Sequence, residues 1–176
     1  MDCAVASPAS KSDTRQPARG RLYLEFRLGT DRYALDVRQI VEVQPVARFK
    51  QVPEAPAWVA GLHLYRGELL PVLDLSSIAC GRPSAQHTST RLVLVEYRRS
   101  ADAAPQRLGL ILEHASHTVR RDPQAFRDYG LERGEARYLG PVLEDEDGLL
   151  QQVEIDELLP EGVRAMLIDA AREAQA

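Results

Sequence analysis

The chain has 176 residues, 44% of them hydrophobic and 27% charged, with 22 basic against 26 acidic side chains and a formal net charge of −4. This length supports one ordinary domain or two small ones with a core that needs no staples, and the charge excludes a whole-molecule field that would draw the chain to nucleic acid. Two cysteines, Cys3 and Cys80, exclude a disulfide framework and four-thiolate zinc sites, and the absence of a long apolar run or an apolar leader makes a cytoplasmic chain the expectation.

Residues 1–20 read as a disordered tail, because from Ala6 to Gly20 there is no bulky hydrophobe to offset the entropy of ordering. Leu22, Leu24, Phe26 and Leu28 then alternate with Tyr23, Glu25 and Arg27, the period of a half-buried strand. Gly29 to Asp31 is a turn, and Tyr33, Leu35 and Val37 alternate again, so the pair reads as a hairpin. Asp36 is placed to cap a short turn through Gln39 before the β segment Val41-Glu42-Val43, which Pro45 ends. Pro56 to Ala60 is predicted to form one or two helical turns closing at Gly61. Tyr65 to Glu68 is a turn. The strand Leu69–Leu75 follows, with Pro71 expected at an edge or a bulge, and then a helical turn closed at Gly81 and a polar loop to residue 90.

Leu92–Tyr97 and Leu108–Leu112 are strands around a loop from Arg98 to Gln106, and His117–Arg120 is predicted as a separate short strand. Asp122-Pro123 starts a short helix ending at Gly130. Tyr138–Leu143 and Leu149–Ile155 form another hairpin around an acidic turn, and Val163, Met166, Leu167 and Ala170 give residues 160–174 the spacing of an amphipathic helix.

These elements contain a weak repeat. Leu22–Leu28 is similar to Leu92–Tyr97, Tyr33–Val37 to Leu108–Leu112, and Leu69–Leu75 to Leu149–Ile155, with Asp74 and Glu154 in register. The offsets of 70, 75 and 80 residues rise steadily, as loop lengths allow. The reading is mainly β: a domain over 21–165 made of two similar half-domains of about five strands each, residues 21–85 and 90–160, with a C-terminal helix and tail over 160–176. Short strands at this spacing favour barrels or a sandwich.

The search for chemistry assigns no catalytic, metal or cofactor residues. Glycines occur singly, outside any phosphate-cradling pattern. Cys80 reads as a small buried hydrophobe. His114 and His117 form an H-x-x-H pair beside Glu113, read as a solvated pair because no third ligand is close in sequence, and His63 and His87 have no assignable role. The run Glu144 to Asp147 before Gly148 lacks the spaced ligands of a calcium loop and reads as a hairpin turn. The basic set is 20 Arg and 2 Lys, scattered along the chain, a composition rather than a site. Arg66 stands apart: it lies in a tight turn beside Gly67, with Glu42 ending an earlier β segment. It either presents a contact on rigid scaffolding or pairs inward with a carboxylate such as Asp74.

Around Arg66 the sequence resembles the CheW family of chemotaxis coupling proteins. The family pattern G-V-x-N-L-R-G-x-x-x-P-V-x-D-L is met by GLHLYRGELLPVLDL, Gly61 to Leu75, where Gly61, Arg66, Gly67, Pro71, Val72, Asp74 and Leu75 match. YALDVRQIVEV (33–43), PAWVAG (56–61), GLILEHASHTV (109–119), YLGPV and VEIDELL are similar to further family segments, so the resemblance covers about residues 22–160. It implies two intertwined five-stranded SH3-like β-barrel subdomains. It also implies a non-catalytic adaptor between the cytoplasmic tips of methyl-accepting chemoreceptors and the regulatory domain of a CheA-type histidine kinase, with self-association in membrane-bound receptor arrays. On the same ground, Arg66, Glu42, Ile40, Gly61 and Gly67 fall at partner-contact positions. Leu64-Tyr65 replaces the family's Asn-Leu, the 98–106 loop is long and the 144–148 hairpin is acidic. These departures point to a specialised branch with its own receptor and kinase, for example a surface-sensing system of the Wsp type. The competing readings are a small β-barrel enzyme, which needs a pocket with convergent polar groups, and a nucleic-acid-binding barrel, which needs Arg gathered on one face.

Overall fold

The computed structural model describes residues 20–98, 104–130, 134 and 136–173. Apart from Gly20 the predicted tail lies outside the described residues, as do Cys3 and the middle of the 98–106 loop. Nine strands run in the order β1 (Arg21–Leu28), β2 (Asp31–Asp36), β3 (Ile40–Pro45), β4 (Val59–Tyr65), β5 (Glu68–Asp74), β6 (Arg91–Tyr97), β7 (Gln106–Arg121), β8 (Leu139–Asp145) and β9 (Gly148–Val153). Helix α1 (Leu75–Cys80) follows β5, and α2 (Glu161–Glu173) closes the described chain.

The pairing divides the strands into two five-membered sets that cut across sequence order. One sheet runs β7-β1-β2-β9-β8 and the other β3-β6-β7-β5-β4. The first takes its β1–β2 hairpin from the N-terminal half and its β8–β9 hairpin from the C-terminal half. The second takes β3 and β4–β5 from the N-terminal half and β6 from the C-terminal half. Both sheets contain one parallel contact, β2 with β9 and β5 with β7, and it is this contact that joins a hairpin of one half to a hairpin of the other. The two β subdomains are therefore intertwined, and the repeat in the sequence maps β1 onto β6, β2 onto the start of β7, and β4–β5 onto β8–β9.

Strand β7 serves both sheets. Residues 106–112 pair with β6 and 113–121 with β1. The strand bends at His114, whose φ of 54° is on the left-handed side. The separate strand expected at His117–Arg120 is the far end of this long strand: the polar break at Glu113-His114 bends it without ending it.

Packing follows from the topology. The largest core lies between the sheets and holds Phe26 and Leu35 from β1–β2, Val93, Val95, Leu110 and Leu112 from β6–β7, and Leu158, Leu159 and Leu167 from the C-terminal region. Each sheet also folds around a smaller core of its own. One contains Leu70, Val72, Leu92, Leu94 and Ile111; the other contains Tyr23, Ala34, Phe126, Leu143 and Leu150. Central strands are thus covered on both faces, which explains the continuous apolar run Leu92-Val93-Leu94-Val95. It also corrects the reading of β1 as half-buried. Tyr23 is turned into the smaller core against Phe126, and Glu25 is buried in an ion pair with Arg32.

Caps bound the short helices, those at Asp36 and Gly81 as the sequence indicates. Asp36 accepts from the Arg38 N–H, Asp74 accepts from the Ser77 N–H, and Gly81 closes α1 in the left-handed conformation. Pro71 sits one residue before β5 gains β7 as a second neighbour, where its missing N–H breaks no β5–β7 pair. Three expectations are corrected. Pro56 to Ala60 makes a single turn, closed by the Val59 N–H on the Pro56 carbonyl, after which β4 pairing captures Val59. The helix after Asp122 is one 3-10 turn, Pro123–Ala125, because Arg127 pairs with Val142 instead. Cys80, read as buried, is exposed at the last residue of α1. Among the described residues no helix is long and apolar enough to cross a membrane.

Candidate partner-binding site

The β4–β5 hairpin is closed by Arg66 and Gly67 between the paired residues Tyr65 and Glu68. Both turn residues have positive φ, 49° and 86°, as a type I′ connection requires. Gly67 meets this requirement without strain. Arg66 meets it at a cost, so its side chain is not there for the convenience of the turn. The guanidinium is 76% exposed, lies 5.0 Å from the centre of the Tyr65 ring, and approaches Glu42 Oε2 at 3.6 Å.

Glu42 is the hub of this corner. Its Oε2 accepts from the Tyr65 hydroxyl at 2.7 Å and its Oε1 from the Gln44 amide at 2.6 Å. These two hydrogen bonds, Gln44 first, hold its carboxyl below the usual range, with the Arg66 charge adding to them. The same bond pushes the Tyr65 hydroxyl up. The result is a fixed pair of opposite charges, each of which still reaches solvent. Asp74, the alternative partner for Arg66, is used elsewhere: it caps α1 and accepts from the Ser84 backbone and hydroxyl.

The strands that carry the pair also expose apolar side chains. Along β3 the exposed positions are Val41, Val43 and Pro45, alternating with half-buried Ile40, Glu42 and Gln44. Leu64, next to Tyr65 in β4, is 64% exposed. Exposed valines and leucine beside a fixed ion pair have the make-up of a protein interface, apolar at the centre with charge at the rim.

The other two sequence-predicted residues lie behind this surface. Ile40 packs against the main core at the start of β3. Gly61 is buried in β4 with φ 138°, and a Cβ there would sit 2.5 Å from the Lys50 carbonyl oxygen. That close approach allows Lys50 and Leu62 to exchange two backbone hydrogen bonds, tying the segment after β3 to β4. The structure therefore brings Glu42, Arg66 and Gly67 together at the surface and places Ile40 and Gly61 beneath it. Sequence reading missed Tyr65 as the anchor of Glu42. Its signal was the departure at Leu64-Tyr65, which puts a hydroxyl where the family pattern has an aliphatic side chain.

The most strongly held ions elsewhere are structural. Buried Arg32 donates to both oxygens of Glu25 and both of Asp145, and Arg121 also donates to Asp145. The acidic β8–β9 hairpin thus turns one of its carboxylates inward to a buried cation.

A profile of the CheW-like domain matches residues 22–162. The chain belongs to the CheW-like domain family. The chemotaxis protein CheW of Rhizobium meliloti is 28% identical over 146 residues, covering 80% of this chain and 88% of that protein. CheW of Helicobacter pylori is 24% identical over 115 residues, covering 65% of each. Among solved structures, the scaffolding protein TtCheW from Thermoanaerobacter tengcongensis aligns with a TM-score of 0.70 at 18% identity, covering 85% of this CheW-like chain and 94% of that one. The likeness agrees with a mainly β fold of two subdomains, and the extent of the match takes in every strand described above.

Proposed function

We propose that this chain is a non-catalytic adaptor that couples the cytoplasmic tip of a methyl-accepting chemoreceptor to the regulatory domain of a CheA-type histidine kinase. The observation that carries this reading is the Glu42–Arg66 corner: opposite charges brought together from β3 and the β4–β5 turn, still open to solvent, on strands that also expose Val41, Val43 and Leu64. Such a surface contributes contact energy without reactive chemistry. In this reading Arg66, Glu42 and Gly67 meet the partner, while Ile40 and Gly61 hold the strands that present them. The chain works in the cytoplasm, is recruited to membrane-bound arrays through its receptor, and self-associates there.

The mechanism is thermodynamic. Receptor and kinase occupy separate surfaces of one intertwined fold, so a receptor state that binds more tightly biases the kinase state bound to the same molecule. Membership of the CheW-like domain family supports this reading, as does the likeness in fold to a CheW scaffolding protein. The test is calorimetric titration of the regulatory domain of a CheA-type histidine kinase, with and without receptor tip. Saturable one-to-one binding that Arg66→Ala weakens without unfolding is expected; no binding at tens of micromolar would refute the adaptor reading.

A further inference from the structure

Three side chains that the adaptor role leaves unused meet at the bend of β7. His87 lies in the loop between α1 and β6, and Glu113 and His114 are consecutive in β7. One ligand atom from each comes within 4.8 Å of the others. The two imidazoles stack, with ring centres 5.2 Å apart and planes 27° from parallel. The left-handed backbone of His114 turns its ring to the same side as Glu113, which an extended strand would send to the opposite face. H-x-x-H spacing did not predict this group: His117 faces Glu25 instead, 3.7 Å from its Oε1.

We propose that His87, Glu113 and His114 form a binding site for a divalent transition-metal ion of the zinc class, with a fourth position left to water or to a partner's ligand. Two imidazole nitrogens and a carboxylate oxygen are the donor set of zinc sites that keep an open position. Tetrahedral zinc with bonds near 2.1 Å places its ligand atoms about 3.4 Å apart, so the site must contract by at most about 1.4 Å. Both His rings are exposed, which leaves room for that movement. Glu113 is prepared for it. Its Oε1 accepts from the Ser76 hydroxyl and the Ala85 N–H and lies 3.6 Å from the Arg82 guanidinium, while none of these contacts falls on Oε2. The buried carboxylate is therefore oriented by neighbours of the kind that position metal ligands. The Ser89 hydroxyl, 3.2 Å from His114 Nδ1, orients the second ligand in the same way. Arg82 opposes a cation here, but it is half exposed and its contact is with Oε1, not with the Oε2 left for the metal. A bound ion would clamp the α1–β6 loop onto β7 at the bend where that strand passes from one sheet to the other.

The test is titration of the full chain with Zn²⁺ by calorimetry, and with Co²⁺ by visible absorption, which reports coordination geometry directly. Wild type is expected to bind one ion, to develop tetrahedral Co²⁺ bands and to unfold at a higher temperature with the metal present. His87→Ala and His114→Asn should each weaken binding about 100-fold; Asn is used at 114 because it tolerates positive φ. His117→Ala and Cys80→Ser should leave binding unchanged. Absence of saturable binding below millimolar metal, or binding that survives both His87→Ala and His114→Asn in folded protein, would overturn the assignment.

Discussion

Arg32 in β2 donates to both carboxylate oxygens of Asp145, at 2.7 and 3.2 Å, across 113 residues of sequence. This bidentate pair fastens the hairpin of one half of the chain to the hairpin of the other, beside the parallel β2–β9 contact that also joins them. Arg32 also binds Glu25 through Nε and Nη2, so one buried guanidinium serves two carboxylates. Fork-to-fork contacts of this kind are the strong form of the ion pair.

Removing the cation should therefore cost far more than the loss of an exposed ion pair. Arg32→Met leaves Glu25 buried without its partner, and about 3–5 kcal/mol of stability should be lost. Asp145→Ala should cost less, about 2–3 kcal/mol, because Glu25 still neutralises Arg32. Urea unfolding checks both. The double variant should fall short of the sum of the two losses, since the two changes remove one shared interaction.

The same network sets a pH dependence. Hydrogen bonding from Arg32 is the largest cause holding both Glu25 and Asp145 below their usual carboxylate ranges. A depressed folded value means the unfolded chain takes up protons first as pH falls, so stability from this source is complete above the unfolded carboxylate values near pH 4 and is lost below them. Unfolding free energy should thus decline as pH drops from about 5 to 2. Arg32→Met should flatten that slope, which urea titrations at successive pH values will measure.

At the proposed partner surface, folding and contact can be separated at one residue. Arg66→Gly relieves a positive-φ strain of about 1 kcal/mol and adds unfolded-state flexibility of similar size, so the melting temperature should stay nearly constant. Kinase-domain affinity should fall about 10-fold or more, as expected where an arginine carries a binding hot spot. An unchanged affinity would place the interface elsewhere on the fold.

Gly61→Ala should behave in the opposite way. Its Cβ would meet the Lys50 carbonyl oxygen at 2.5 Å and Phe49 Cβ at 2.9 Å, at a φ that side chains avoid. Backbone must move to admit it, at a cost of about 3 kcal/mol. Any loss of binding should then track the loss of folded protein in a thermal melt, whereas Gly67→Ala, with open space around it, should meet only the strain of its positive φ, about 1–2 kcal/mol.

What the sequence reveals and what it conceals follow from the range of the forces involved. Period-two alternation, the Asp36 cap, the Gly81 helix close and the Arg66-Gly67 turn are written within a few residues of each other, and the structure contains them all. The burial of Tyr23 is not written locally. Alternation distinguishes two faces of β1 but is silent on whether Phe126, Leu143 and Leu150 arrive to cover the second. The helix expected at Pro56–Ala60 fails for the same reason, because pairing of Val59 with Leu73 outweighs a local helical tendency. Glu42 and Arg66 were legible as candidates, yet the Tyr65 hydroxyl that joins them acts between strands 23 residues apart. His87 looked solitary because its neighbours come from β7, on the far side of β6 in the sequence.

The crossing of the two halves bears on how the molecule is born. Strand β2 cannot acquire its parallel neighbour until β9 has been synthesised, and the sheet that begins at residue 21 stays open at that edge through most of translation. Non-local pairings of this kind fold slowly and leave strand edges exposed in the interim. A ribosome stalled before Val153 would therefore carry a nascent chain with one hairpin lacking its mate, a substrate for chaperones, and neither half expressed alone should yield a stable subdomain.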